Sequence, residues 1–406
     1  MKKNMYKHIQ EQSRQMMMPF QWFFKQEAAS GLVLLIFAVV AMAVANSPWA
    51  AAYESVLHWK IAVGVGSFQL SMSLLHWIND ALMAVFFFVI GMEIKREFLF
   101  GELKTPSSTL LPIAAAVGGM VAPALLYTAF NIGKPTISGW GVSMATDIAF
   151  SLGVLAFAAP RAPRAIVVFL TALAIVDDLG GILVIALFYS SDLHISYLLF
   201  GAVILCILFW ISRRNVQSFI VYLIGGVLLW YAFLQGGIHP TIAGVLLGFS
   251  IPAGTEQSHG SSLLSKIEHR LTPWSAFLVM PIFALSNAGI AIDGSSIENL
   301  LTPIGVGIIA GLFLGKPLGI FLSVYGLIRF RIVPLPAGVR MGHFLGAGIL
   351  GGIGFTMSLF IAALAFDDAT SLMTAKTAIV AASILSGLVG TAVFKWLQSK
   401  EKALQP

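Results

Sequence analysis

The 406-residue chain is 58% hydrophobic and only 10% charged, with a mean hydropathy of +0.89. A soluble domain carries about 25% charged residues. This composition therefore excludes a water-soluble globular protein and points to one polytopic membrane unit spanning 1–406, not the two or three domains that length alone suggests. The net charge of +6 comes without a basic stripe interleaved with aromatics, so nucleic acid is not a partner; the lone Cys206 excludes an intramolecular disulfide and a thiolate metal cluster.

The N-terminus mimics a signal peptide: a basic lead, an apolar run from Gly31, then the small-residue string AMAVAN at 41–46. The lead alone is about as long as a whole cleavable signal, and it carries Glu11 and Glu27. Residues 31–45 are therefore predicted to form the core of a first helix that is retained. MMMPFQWFFK (16–25) reads as an interfacial stretch within a cytoplasmic segment covering 1–26. At 59–73, WKIAVGVGSFQLSMS alternates around a Gly-Ser pair and reads as a β-hairpin outside the membrane. Its edges would invite pairing with a second copy of the chain; the plainer alternative is an irregular loop.

Beyond the hairpin, residues 105–133, 193–212, 215–255, 271–292, 341–366 and 377–394 contain no Asp, Glu, Lys or Arg. Breaking the apolar runs at charged or Pro/Gly-rich joints predicts about twelve helical spans in a lipid bilayer. Their centres fall near residues 38, 88, 119, 147, 177, 204, 226, 244, 282, 315, 354 and 384. Of the 24 Lys and Arg residues, 20 lie in loops that share a side with the N-terminus. Only Lys60, Lys134 and Lys376 lie in the opposite loops, and Lys316 is inside a span. That asymmetry places both termini in the cytoplasm and the hairpin outside.

Four charges stand near span centres: Asp147, Asp177, Asp178 and Lys316. Each costs about 2.5–3.5 kcal/mol there, so they call for a function and for partners among themselves. Helix-to-helix glue is the plainer reading, but that role usually falls to Ser, Thr or Asn. Adjacent carboxylates on a helix point about 100° apart, so one of Asp177 and Asp178 can face a partner while the other faces a water-filled funnel. Their charges resist joint ionisation. Such a pair can hold protons or, deprotonated, ligate a small hard cation through oxygen, so Na⁺ and H⁺ would compete for the same atoms.

Two spans read as broken. GWGVSMATDIAFSLG (139–153) sets Gly, Ser and Thr around Asp147, and GAGILGGIGFTMSLF (346–360) carries five glycines before Thr356. Interrupted helices running in opposite directions, in corresponding positions of two halves, indicate inverted repeats and a midplane site; close small-xxx-small packing is the alternative for the glycine run. Asp147 suits the positive N-terminal ends of such helices and Lys316 the negative C-terminal ends. GLFLGKP (311–317) only echoes a phosphate loop, since its spacing is short and Pro317 replaces the Ser/Thr. ATP, an intramembrane aspartyl protease and an H-E-x-x-H zinc protease are not supported.

ATDIAFSLGVLA (145–156), ALAIVDDLG (172–180), GKPLGI (315–320), GIGFTMS (352–358), WINDALMAVFF (77–87) and GMEIKRE (91–97) closely resemble the NhaA family of sodium/proton antiporters over nearly the whole chain. NhaA is one of the transporters from which the inverted-repeat rule is drawn, so agreement on that point is not independent. The resemblance implies an all-α bacterial inner-membrane secondary transporter, not an enzyme. It would have twelve helices, no cofactor, and a homodimer formed through the outer hairpin. It also implies electrogenic, pH-regulated export of Na⁺ or Li⁺ against protons. Carried over by motif, Asp177 and Asp178 carry cation and proton, with Asp178 the more central ligand. Thr146 and Asp147 sit at the helix crossing, Lys316 compensates dipoles and pairs with Asp177, and Asp80 lines the outer approach. Glu93, Arg96, Glu97, Glu268, His269 and His239 fall where the family senses pH, with ordinary loop charges as the plainer reading. Thr272 stands where another histidine is expected.

Two other transport readings remain: a sodium-coupled organic-solute symporter of related fold, such as the bile-acid carriers, and a passive cation channel. The acidic pair beside Lys316 argues against the first, and the lack of a filter-like loop against the second.

Overall fold

In the computed structural model, residues 29–65, 68–101, 103–190, 193–255, 259–292 and 294–403 are described. The expected interfacial segment at 1–26 lies outside them. Without water in the hydrocarbon layer, backbone polar groups must pair within the chain, and the apolar runs accordingly become helices. In chain order these are α1 (Ala29–Ala45) and α2 (Ala50–Leu57), bent by 115° against each other, followed by strands β1 (Lys60–Val65) and β2 (Phe68–Ser73). Next, α3 (Leu74–Trp77), a π turn (Ile78–Leu82) and α4 (Met83–Phe100) form one rod, and α5 spans Pro106–Asn131. A 3-10 helix (Pro135–Met144) then meets α6 (Ile148–Ala158), and α7 (Arg164–Phe188), α8 (Ile195–Arg213), α9 (Phe219–Gly236) and α10 (Thr241–Ser250) follow.

The second half holds α11 (Leu263–Trp274), a π turn (Ser275–Val279), α12 (Met280–Asn287) and the short α13 (Gly294–Asn299). A second rod runs through α14 (Pro303–Ala310), a π turn (Gly311–Gly315) and α15 (Lys316–Arg329); α16 (Met341–Gly351), α17 (Phe355–Ala365) and α18 (Ala369–Ala403) complete the chain. Among the described residues, seven helices are long and apolar enough to cross a membrane, or ten if each bent pair is one span. Two of the twelve expected centres, near 244 and 282, fall outside that count: α10 is short, and α12 ends a continuous helical run from Leu263 that is too polar, so the count by length and composition stops short of twelve.

The hairpin pairs in antiparallel register from Lys60↔Ser73 to Val65↔Phe68; residues 66–67, at its turn, lie outside the described set. Trp77 Nε1 donates to Ile61 O at 3.1 Å, tying the hairpin to α3. Inside the bundle, glycine sets the closest approaches. A Cβ on Gly244 would collide with the Ala84 carbonyl, locking α10 onto α4, and one on Gly319 would collide with the Gly118 carbonyl, locking α15 onto α5. Helix α7 runs through the middle with Leu170, Leu173 and Ala174 buried beside Asp177 and Asp178.

Candidate functional site

Two of the bent pairs are the glycine- and aspartate-interrupted segments. The 3-10 helix and α6 bend by 46° across residues 145–147, and α16 and α17 bend by 46° across 352–354. Each break leaves carbonyls and amides that a continuous helix would have paired, and the two breaks satisfy each other. Asp147 N donates to Ile353 O at 2.7 Å, Thr146 Oγ1 to Gly351 O at 2.9 Å, Ser151 Oγ to Leu350 O at 2.8 Å, and Ser358 Oγ to Val142 O at 2.8 Å. Positions 142, 147 and 151 thus meet 358, 353 and 350 in reverse order, so the two broken elements cross antiparallel.

Charge is matched to the exposed helix ends. The Asp147 carboxylate caps α6 by accepting from Phe150 N at 3.0 Å, and it also accepts from Thr356 N at 3.1 Å and Thr356 Oγ1 at 2.5 Å in the first turn of α17. One anion therefore serves two N-termini. The Lys316 ammonium, fully buried at the end of the π turn in the second rod, donates to Met144 O at the C-terminal end of the 3-10 helix and to Asp177 Oδ2, at 2.5 Å.

Asp177 and Asp178 differ sharply. Asp177 is ion-paired to Lys316 and lies beside Thr146. Asp178 is also buried, yet among the described residues it makes no hydrogen bond and no ion pair, and it feels the charges of Asp177, Glu93, Asp147 and Lys316. An unneutralised carboxylate inside the bundle is stable only as a protonated acid or with a cation against it. Carboxylate, hydroxyl and backbone carbonyl oxygens are the donors that suit a hard monovalent cation.

At one end of the rod α3–α4, Asp80 is buried within the π turn, with His76 Nε2 at 3.3 Å from Oδ2 and His239 Nε2 at 3.5 Å from Oδ1. At the other end, Arg96 is a hub: it reaches Glu97 at 2.9 Å, Glu268 at 3.0 Å and Glu93 at 3.9 Å. Burial raises the Glu268 carboxyl above the usual carboxylate value, against the opposing pull of Arg96. The structure thus gathers Glu93, Arg96, Glu97 and Glu268 but leaves His269 exposed and outside the cluster. Thr272 instead returns its hydroxyl to Glu268 O at 2.8 Å.

Sequence reasoning missed His76, whose signal was its place four residues before Asp80. It also missed Lys95, which donates to Phe249 O at 2.8 Å and Ile251 O at 2.5 Å at the C-terminal end of α10. No residue pattern marked Lys95, because its partners are backbone atoms more than 150 positions away.

An antiparallel crossing of two interrupted helices, with charges matched to their ends and a carboxylate beside it that is unpaired among the described residues, defines a multi-pass secondary transporter. The profile of the Na⁺/H⁺ antiporter 1 family matches residues 21–394, and the chain belongs to that family. It is 52% identical over 389 residues to the Na(+)/H(+) antiporter NhaA 2 of Clostridium beijerinckii, covering 95% of this chain and 96% of the relative. It is 46% identical over 384 residues to Na(+)/H(+) antiporter NhaA of Pelagibacter ubique (94% and 98% covered) and 45% over 382 to that of Citrobacter koseri (93% and 97%). In fold it is similar to the sodium proton antiporter MjNhaP1 of Methanocaldococcus jannaschii, with a TM-score of 0.58 at 14% identity over 94% of this chain and 98% of that one.

Proposed function

We propose that the protein exchanges Na⁺ or Li⁺ for protons across a bacterial inner membrane, by alternating the access of the Asp177–Asp178 pair. The observation that carries this reading is the Asp178 carboxylate, buried with no hydrogen bond or ion pair among the described residues, next to a carboxylate already paired to Lys316. From one side a cation displaces protons from the pair; from the other, protons displace the cation. Competition for the same oxygens couples the two fluxes without ATP. Two ionisable carboxylates facing one monovalent ion also make the cycle electrogenic. The crossing supplies the moving part, because its two breaks are held by a small set of exchanged hydrogen bonds that can re-form in a second arrangement.

Around this centre, the 20-to-3 asymmetry of basic residues supports cytoplasmic termini. The Arg96 hub then faces the cytoplasm. Glu93 belongs to that hub and also acts electrostatically on Asp178, which supports a pH-responsive role for Glu93, Arg96, Glu97 and Glu268, with His239 at the far end of the same rod. The unpaired edges of the outer hairpin support assembly as a homodimer.

The deciding experiment is proton release on adding Na⁺ to purified protein. Wild type releases protons; Asp178→Asn, whose amide neither ionises nor supplies charge, releases none and loses cation binding. Proton release by Asp178→Asn with unchanged apparent Na⁺ affinity would refute the shared site.

A further inference from the structure

The outer carboxylate Asp80 is divided between two imidazoles of opposite character. His239, on Oδ1, is nearly enclosed at 10% side-chain exposure, whereas His76, on Oδ2, is 62% exposed. The ring of His239 is oriented from behind: its Nδ1 takes the Thr241 amide at 3.5 Å and pairs with Thr241 Oγ1 at 2.7 Å. In the neutral ring that leaves the proton on Nε2, facing Asp80. Oδ1 therefore faces the enclosed ring at 3.5 Å, and Oδ2 faces the more exposed imidazole at 3.3 Å.

The surroundings hold this arrangement still. Ser73 caps α3 by accepting from His76 N at 3.2 Å, Trp77 stacks on Trp230 at 6.0 Å, and Trp230 Nε1 donates to Asp80 O at 3.3 Å. Asp80 sits in a π turn, a distortion often found at functional positions. Asp80 acts on both His76 and His239, and His76 also acts on His239; the neighbours on α9, α10 and α17 are the neutral Trp230, Thr241 and Phe360.

We infer that His76 is the outer proton-delivery residue of this transporter, taking a proton from the external medium and handing it to Asp80. This rests on the antiport reading above and adds the group that loads the site from outside. The step is a simple transfer: buffer or water protonates the exposed imidazole, Nε2–H passes its proton to Asp80 Oδ2, and neutral His76 is reloaded. An imidazole is the side chain suited to both halves of that step near neutrality.

The need for such a group follows from proton scarcity. At pH 8.5 protons are about 3 nM, and a diffusional constant of about 10¹⁰ M⁻¹s⁻¹ supplies a single buried acceptor only about 30 times per second. An exchanged imidazole fed by buffer escapes that limit.

The test uses right-side-out and inside-out vesicles carrying wild type or His76→Gln, which keeps a hydrogen-bonding side chain but cannot carry the proton. In weakly buffered alkaline medium, His76→Gln slows Na⁺-driven exchange about threefold when protons are taken up at the hairpin face, the ratio of a turnover near 10² s⁻¹ to the diffusional supply. Imidazole added at that face restores the rate, uptake from the opposite face is unaffected, and the apparent KM for Na⁺ is unchanged. A wild-type rate in weak buffer, or a loss that ignores both face and buffer, overturns the inference. Wild-type vesicles without Na⁺-driven proton movement in either orientation would overturn the antiport reading instead, and this inference with it.

Discussion

Replacing Asp177 with Asn removes the carboxylate paired to an ammonium that is completely buried. The amide is nearly isosteric with the carboxylate, so packing changes little and the effect isolates the charge. Lys316 keeps the Met144 carbonyl as an acceptor but loses its counter-charge at 2.5 Å. Breaking a buried pair from one side costs about 3–5 kcal/mol, because the remaining charge is stranded in a low-dielectric interior. At about 2–4 °C per kcal/mol, the melting temperature should fall by about 10 °C. Thermal unfolding of purified protein in detergent measures it. The double variant Asp177→Asn/Lys316→Met removes the stranded charge and replaces a buried pair with apolar volume, so it should regain most of the loss. Na⁺-driven proton release should be crippled in both. If Asp177→Asn melts within about 2 °C of wild type, or the double variant is no more stable than the single one, the ion pair is not what secures this part of the bundle.

Three further outcomes are expected. Glu268 has a carboxyl raised by burial, so its contribution to stability is fully present below the ordinary carboxylate pKa and declines as pH rises through the raised folded value. Glu268→Gln should therefore flatten the dependence of melting temperature on pH from weak acid upward, and should shift the pH profile of exchange while sparing its maximum; loss of exchange at every pH would place Glu268 in the ion path. In a Cys206→Ser background, a cysteine at the exposed Lys266 should react with an impermeant reagent only from the cytoplasm and one at exposed Ser55 only from outside; reversed labelling would invert the topology. Removing hairpin residues 60–73 should convert a dimer to a monomer on sizing in detergent, and an unchanged dimer would move the interface elsewhere.

Much of this protein is written locally, and for a physical reason. In hydrocarbon a chain must satisfy its own backbone, so long apolar helices follow from composition alone, and the loop bias of Lys and Arg predicts an orientation for them. The hairpin strands also follow from alternation around a Gly-Ser pair, and Asp147, Asp177, Asp178 and Lys316 stand out because a charge in an apolar run is expensive wherever it packs. What pairs with what is a different matter. Adjacent aspartates point in different directions on any helix, but only the packing of α15 against α5 and of α5 against α7 assigns Lys316 to Asp177 and leaves Asp178 without a partner among the described residues. Lys316 is 139 positions from Asp177, and Thr356 is 209 from Asp147; no periodicity encodes such distances. Tertiary structure likewise decided that Arg96 gathers three glutamates while His269 faces outward, and that Asp80 lies between an enclosed and an exposed histidine. Side-chain chemistry is a property of each residue. Partnership belongs to the helix crossings, which exist only once distant segments have packed.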